Sequence, residues 1–464
     1  MAEAQDIPAR AAFRDAEGRI TAAFVETIRA ALGAGDEAEL RRLAADLHEA
    51  DLADLLTALA PEERPELVRR LGDQFDFAAL TELDESVRRD IVEALPPKIV
   101  AEGLGELESD DAVYILEDLD QAEADAILAE MPAPERTAVQ RSLDYPEESA
   151  GRLMQADFIA VPPFWTVGRT IDYLRDTATL PESFNAIFVV GPTYRLLGAV
   201  ALDKLLRTRR PVKIADIMDE TRHCVKATAD REEAARLLKR YNLLSLPVVD
   251  EADRLAGVIT VDDVVDVIEE EASEDLERLS GVYDAEISSP VWETTRRRFW
   301  WLLVNLGTAF LASSVIKIYE ESIAKMVALS VLAPIVASQG GNAATQTMTV
   351  TVRALATQEL GPFTVSRFVT REVVVSFLNG LGFALIVGLA AASWFQSWAL
   401  GFVIGGAMVI NLVAGGAAGV LVPLVVRGLG WDPAVVSGVF VTTVTDCVGF
   451  FAFLGLATWW FGLG

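Results

Sequence analysis

The chain has 464 residues, with 40 Lys and Arg against 69 Asp and Glu, a formal net charge of −29. That charge is unevenly spread: residues 291–464 hold nine basic and seven acidic side chains, which leaves 31 basic and 62 acidic in residues 1–290. A first part at −31 repels nucleic acid, which binds basic patches, and attracts cations; only two cysteines, Cys224 and Cys447, and two histidines, His48 and His223, argue against a disulfide framework or an imidazole metal site.

The opening stretch MAEAQDIPARAAFRDAEG lacks the apolar core of a signal peptide, so the acidic part is expected to stay in the cytoplasm. Residues 20–145 read as helix, with apolar residues at helical spacing in Leu40, Leu43, Leu47 and again in Leu52, Leu55, Leu56, Leu59. Breaks fall at Pro61, at Pro96 and Pro97, and at Pro132, in the similar settings TALAPEE, EALPPK and AEMPAPE. A repeat of that kind predicts helical hairpins stacked as a short solenoid, with an irregular bundle as the alternative.

Residues 154–268 carry a clearer repeat. FVVGPTYRLLGAVALDKLL, starting at Phe188, aligns without a gap on PVVDEADRLAGVITVDDVV, starting at Pro247. One constant offset relates Val189 to Val248, Arg195 to Arg254, Gly198 to Gly257 and Asp203 to Asp262. Each copy reads as strand, polar turn, strand and helix, preceded by a helical stretch, TVGRTIDYLRD or REEAARLLKRYN. Two such β-α-β-β-α units resemble a pair of cystathionine-β-synthase (CBS) domains. Residues 264–285 then continue as an acidic helix leading toward an apolar region.

In that region 299–318, 326–350, 373–398, 399–426 and 436–461 are each long enough to cross about 30 Å of hydrocarbon. With the acidic part inside, Arg296, Arg297, Arg298, Arg353, Arg367, Arg371 and Arg427 flank the spans on the cytoplasmic side. Only Lys317 and Lys325 then fall outside, which fits the excess of cytoplasmic positive charge. The expected fold is therefore multidomain: an acidic helical N-domain over 1–145, an α/β tandem CBS pair over 146–268, a connecting helix and linker over 269–295, and a five-helix transmembrane domain over 296–464. It is expected to sit in the inner (plasma) membrane, with the C-terminus on the outer side.

One carboxylate stands where charge is expensive. Asp446, in VTTVTDCVGFF, is near the middle of the last span with no Lys or Arg there to pair with, and such groups usually face a water-filled path, a proton relay or an ion. Thr442, Thr443 and Thr445 surround it with hydroxyls suited to a hydrated cation. In the second span SQGGNAATQT, 338–347, breaks the apolar run, and Gly340, Gly341 and Asn342 are expected to expose carbonyls in irregular backbone and line a pore, with close helix packing through small residues as the alternative. In the soluble part, candidate oxygen ligands for Mg2+ are Asp110 and Asp111 on one side. Facing them are Asp250, Asp262, Asp263, Glu269 and Glu270 on the CBS side.

Taken together, the acidic helical domain, CBS pair, acidic connecting helix and apolar spans resemble the MgtE family of magnesium channels. The motifs that carry the resemblance are EESAGRLM at 147–154, GGN at 340–342, RALAT at 353–357, DPAVVSG at 432–438 and TTVTD ending at Asp446. The resemblance implies a homodimer with an ion path on its axis, Asp446 selecting hydrated Mg2+ and Asn342 lining the pore. It also implies that Mg2+ between the soluble domains closes the pore through the connecting helix. ATP at the CBS pair is implied for some members, and here Gly257, Thr260 and Asp263 are the candidate nucleotide-binding residues. Some members carry Asn where this chain has Thr345 and Gly438. The alternative class is a proton-coupled transporter of divalent cations such as Mg2+ or Co2+, with Asp446 titrating; no nucleophile–base constellation suggests an enzyme.

Overall fold

The computed structural model describes residues 13–177, 180, 181, 183–220, 223–279, 291–357, 360 and 364–463. The chain forms two compact units, Met1–Glu271 and Ala272–Gly464.

The first unit opens with short helices: Ala22–Ala34 (α1), Glu37–Ala44 (α2), Glu49–Ala58 (α3), Glu63–Leu71 (α4), Glu85–Glu93 (α5), Pro97–Leu104 (α6), Ser109–Glu117 (α7), Gln121–Glu130 (α8) and Ala133–Leu143 (α9). Their limits follow from local chemistry. Thr21 and Asp36 cap α1 and α2 by accepting backbone N–H groups of Phe24 and Glu39. Gly35 ends α1 in the left-handed region at φ 67°. Pro97 starts α6, where the missing N–H costs nothing, and Pro61 and Pro132 fall just outside helices. Apolar faces merge into one core that runs from Val25 through Leu40, Leu55, Ile91 and Ile115 to Val139.

That core holds a buried cation. Arg88, 2 % exposed, donates to Asp118 Oδ2 at 2.6 Å and to the Leu83 carbonyl at 3.1 Å, with its guanidinium 4.2 Å from the Tyr114 ring. Arg88→Ala removes the charge that offsets Asp118 and is expected to cost about 3–5 kcal/mol. Thermal unfolding of the soluble unit checks it, and an unchanged midpoint would contradict the role.

After Ala150–Leu153 (α10) come two sheets of the same design. The first has Ala160–Val161 (β1), Ala186–Val190 (β2), Leu196–Ala201 (β3) and Asp219–Glu220 (β4), in that order, β1 parallel to β2 and the rest antiparallel. The second has Val225–Lys226 (β5), Ser245–Val249 (β6) and Leu255–Thr260 (β7), again parallel then antiparallel. Helices Val167–Asp176 (α11) and Arg231–Tyr241 (α13) precede the central strands, while Leu202–Arg207 (α12) and Val261–Leu279 (α14) follow them. The sequence repeat is reproduced in three dimensions. Val189 pairs with Gly198 as Val248 pairs with Gly257. Tyr194 and Asp253 both adopt positive φ, 66° and 57°, in the equivalent turns. The two copies join through Leu196 N to Asp253 O and Leu255 N to Tyr194 O, and they share a core of Phe188, Val190, Leu255 and Val258.

The second unit is helical. Val291–Ile318 (α15), Glu320–Lys325 (α16), Ala328–Ala356 (α17), Val365–Trp394 (α18), Trp398–Gly428 (α19) and Pro433–Phe461 (α20) follow in order. Among the described residues four stretches are long and apolar enough to cross a membrane: Thr294–Ile318 within α15, and α18, α19 and α20. α17 has the length, 29 residues, but its polar centre keeps it out of that class. α18 and α19 turn back on each other through residues 395–397, with Gln396 at φ 50°. They approach closely because Gly388 and Gly401 face one another: a Cβ on either would meet the other's carbonyl oxygen, at 2.9 and 2.6 Å.

The ends of the bundle are marked by polar contacts. Lys325 Nζ donates to the Leu463 carbonyl at 2.8 Å and the Thr458 hydroxyl donates to Ser322 Oγ at 2.9 Å, so the α15–α17 connection and the C-terminus share one end. At the other end Arg278, in the last turn of α14, donates to Asp432 Oδ2 at 2.7 Å, while Asp432 caps α20 through Ala434 N.

One expectation is corrected. The backbone of α17 is helical without interruption through Gly340, Gly341 and Asn342. Breaking it in an apolar medium would leave amide groups without partners, and the glycines serve a different purpose, the close approach of α19 described below. Of the acidic stretch 264–285, residues up to 279 are helical, while 280–290 lie outside the described residues.

Candidate functional site

In the first unit, the start of α7 docks beside the start of α14. Ser109 Oγ accepts Ala156 N at 2.7 Å, the Gln155 amide donates to Glu108, and Tyr114 OH donates to Glu270 Oε1 at 3.1 Å. Arg231 holds Glu270 and Glu271 at 3.0 Å each, and Arg152 reaches Glu117 at 3.4 Å. These contacts surround a patch in which carboxylates face carboxylates.

Asp110 lies at its centre, 6 % exposed, and its Oδ1 is buried with no hydrogen-bond partner among the described residues. Burial first, and then the charges of Asp263, Asp111 and Glu108, push its carboxyl well up. The same causes, burial followed by Asp263, Glu108, Glu49 and Asp262, push Asp111 up to about 7. Asp263 is raised by burial against two opposing bonds from Thr260, N–H and hydroxyl, to its Oδ2. Asp262 and Glu269 lie exposed on the same helix and add to the field on Asp266, which burial and Glu270 also raise.

The structure therefore brings together Asp110, Asp111, Asp262 and Asp263, with Glu269 and Glu270 further along α14. It does not bring in Asp250. That residue lies in the β6–β7 turn, where burial works against its charge but Arg254 N, Ala252 N and the Arg254 side chain hold its carboxyl below the usual range. Three members lie outside the sequence expectation: Glu82, Glu108 and Asp266. Glu82 is raised by burial and then by Asp266 and Glu49. Asp266 has a signal, since 262, 263, 266, 269 and 270 recur at helical spacing on one face. Glu82 and Glu108 stand in helix connections, where no periodicity marks them.

A cation nearby would offset the repulsion around a buried carboxylate oxygen that has no donor among the described residues and is ringed by like charges. Among the described residues no three Asp, Glu, His or Cys side chains converge into a ready ligand shell. Such a donor set suits an ion that keeps much of its water, as Mg2+ does.

The nucleotide candidates are otherwise engaged. A Cβ at Gly257 would meet Gln155 O and the Met154 side chain at 2.7 Å, so its bare face is filled by residues 154 and 155. Gly198 is used the same way, against Asp219 O at 2.5 Å, which explains why the repeat keeps both glycines. Thr260 and Asp263 are bonded to each other at the start of α14.

In the second unit, Asp446 lies near the middle of α20 and Asn342 at the middle of α17. The two helices pack together, and a Cβ at Gly341 would come 3.8 Å from Thr445 Oγ1. On α17, Ser338, Asn342, Thr345 and Thr349 are exposed at alternating steps of four and three, a polar stripe on an otherwise apolar helix. Asp446 is partly exposed, and no hydrogen bond or ion pair holds it among the described residues. The hydroxyls of Thr442, Thr443 and Thr445 donate back to carbonyls of their own helix, which leaves their oxygen lone pairs to accept.

Comparison with known proteins bears on both units. Residues 333–456 match the MgtE family model described as a divalent cation transporter, and residues 47–148 match the MgtE intracellular N domain. Residues 214–270 match the CBS domain. The magnesium transporter MgtE of Thermus thermophilus is 31% identical over 93% of this chain and 97% of its own. The chain belongs to the MgtE family. Another member, the magnesium transporter MgtE of Bacillus subtilis, is 31% identical over 76% of this chain and 79% of its own. Among solved structures, the cytosolic domain of the Mg2+ channel MgtE in complex with ATP is 32% identical over 52% of this chain and 99% of that one, with a TM-score of 0.48. As an MgtE-family chain, it combines the intracellular N domain, the CBS pair and an apolar helical C-terminal part in the order its sequence suggests.

Proposed function

We propose that this protein carries Mg2+ across the inner (plasma) membrane as a channel, and that cytosolic Mg2+ held between its acidic soluble domains closes it. The observation that carries the first half is the mid-helix carboxylate of Asp446, with no cationic partner among the described residues, on a helix that packs against α17 and its polar stripe. A hydrated divalent cation supplies the missing charge, and threonine oxygens with the Asn342 amide exchange hydrogen bonds with its water shell. α17 serves as the fifth span, its polar stripe kept from lipid by the ion path and by a second copy of the chain in a homodimer.

The soluble domains are assigned to the cytoplasm and the C-terminus to the outer side. Arg278 and Asp432 would mark the inner end, and the Lys325–Leu463 contact the outer one. The proposed boundaries are 1–145, 146–268, 269–295 and 296–464. Within the N-domain the packing of α6 on α8 and α7 on α9 supports a short solenoid. Asp110, Asp111, Asp262 and Asp263, with Glu269 and Glu270 beyond them, would hold the regulatory Mg2+, mostly through its waters. ATP enters this reading as a ligand of the CBS pair, Thr260 and Asp263 exchanging their mutual bond for a ribose.

The test is ion flux through the purified protein in liposomes, with Mg2+ varied on the side of the soluble domains. Mg2+ entry that falls as that Mg2+ rises through the millimolar range is expected; no Mg2+ flux at all would overturn the proposal. Flux that follows a proton gradient would move the protein to the coupled-transporter class.

A further inference from the structure

We infer that Asn411 of α19 is a positioning residue for the ion path, fixing the offset between the segment carrying Asn342 and the helix carrying Asp446; this rests on the function proposed above. Asn411 is fully buried near the middle of α19. Its Nδ2 donates to the Val336 carbonyl of α17 at 2.8 Å, and its Oδ1 has no partner among the described residues. Both facing helices are cleared for it. A Cβ at Gly340 would run into the Asn411 amide, and a Cβ at Gly449 of α20 would come 2.6 Å from Nδ2. Gly340 stands just before Asn342 in the chain, and Gly449 just after Asp446.

One amide thus touches the helices of both candidate ion-path residues. As a pure space-filler it is a poor choice, because an apolar side chain would fill the site without leaving a buried acceptor unsatisfied. What the amide adds is direction: its bond to Val336 O fixes α17 axially against α19, and the glycine contact fixes α20 against the same side chain. Gly415 and Gly419 of α19 continue the close seam, with built Cβ atoms 2.9 Å from Gly340 O and 2.7 Å from Ala344 O. A seam of bare glycines slides; a hydrogen bond within it sets one register. Since a hydrated cation is recognised through oxygens at set spacing, register here translates into discrimination between ions of different size.

The experiment compares Asn411→Leu, Asn411→Ala, Gly340→Ala and the double variant Asn411→Ala with Gly340→Ala in liposomes, measuring KM and maximal uptake for Mg2+ and Ca2+. Asn411→Leu is expected to remain folded while its preference for Mg2+ over Ca2+ falls about tenfold, the scale of one lost buried hydrogen bond; if it does not fold, Asn411→Ala carries the same comparison. Gly340→Ala alone is expected to fold poorly, and removing the Asn411 amide to restore folding but not the ion preference. An unchanged preference in Asn411→Leu, or its full return in the double variant, would overturn the inference and leave Asn411 as packing alone. Wild-type protein that carries no Mg2+ would instead overturn the proposed function and this inference together. Wild-type flux that Asp446→Ala removes upholds the proposed function, and the Asn411 variants then test the inference by themselves.

Discussion

Asp446→Ala is expected to abolish Mg2+ uptake in reconstituted vesicles, down to the leak of protein-free vesicles, and to leave the protein folded. The reasoning is electrostatic. Asp446 is the single acidic residue between Gly438 and Phe461 in α20, and no basic residue stands in that stretch either. A divalent ion crossing at that depth loses its fixed counter-charge when the carboxylate goes, and charge in a low-dielectric span is costly. Folding is spared because the carboxylate makes no bond that holds the bundle among the described residues; Thr445, buried beside it, bonds within its own helix. Asp446→Asn keeps the shape and removes the charge, so it is expected to lose nearly as much. Uptake that survives in either variant would show that selection happens elsewhere, and size-exclusion chromatography of the same samples separates loss of function from loss of fold.

The second large effect expected is a dependence of the first unit on pH that Mg2+ would remove. Burial, with Asp263 and Glu108 next, pushes Asp111 up to about 7 from 3.8, and burial pushes Glu117 up to about 7 from 4.5, against the pull of Arg152. Between those values the folded state binds more protons than the unfolded one, so stability falls as pH rises through the window from about 4 to about 7. Without divalent cations, protease nicking of the soluble unit is therefore faster at about pH 8 than at about pH 5. In the proposed reading Mg2+ would supply the counter-charge in place of protons, so millimolar Mg2+ is expected to slow nicking at the higher pH and to release protons as it binds. Asp110→Asn with Asp111→Asn removes the repulsion at its source, and is expected to make nicking insensitive to Mg2+. Equal nicking at both pH values, with and without Mg2+, would remove the acidic patch as a sensor.

Much of this is legible in the chain itself, for definite reasons. The internal repeat predicts two copies of one structure because like sequence in like context folds alike, and the paired strands, turns and positive-φ residues follow. The apolar runs predict long helices because length and hydropathy are local quantities, although α17 shows how a polar stripe lowers that signal. Asp446 stands out for the same reason: a charge in an apolar run needs no partner to be noticed.

Other features exist only between elements distant in sequence. The acidic patch depends on α7 meeting α14 from far along the chain, as the Tyr114–Glu270 bond records. From sequence Asp250 looks as good a ligand as Asp263, yet the turn hydrogen bonds of Arg254 take it out and burial brings in Glu82. The glycines at 340 and 341 allow either irregular backbone or close helix packing, and the unbroken helix with Asn411 fitted against Gly340 decides for packing at that glycine. Asn411 itself lies among small and apolar residues in VINLVAGG and carries no mark of its position. Sequence by itself determined the order of the domains, the repeat and the lone carboxylate of the last apolar run, because periodicity and hydropathy act over neighbouring residues. Tertiary structure alone decided which carboxylates meet and which amide touches the helices of both Asn342 and Asp446, because burial and hydrogen bonding depend on residues that the chain brings together only when folded.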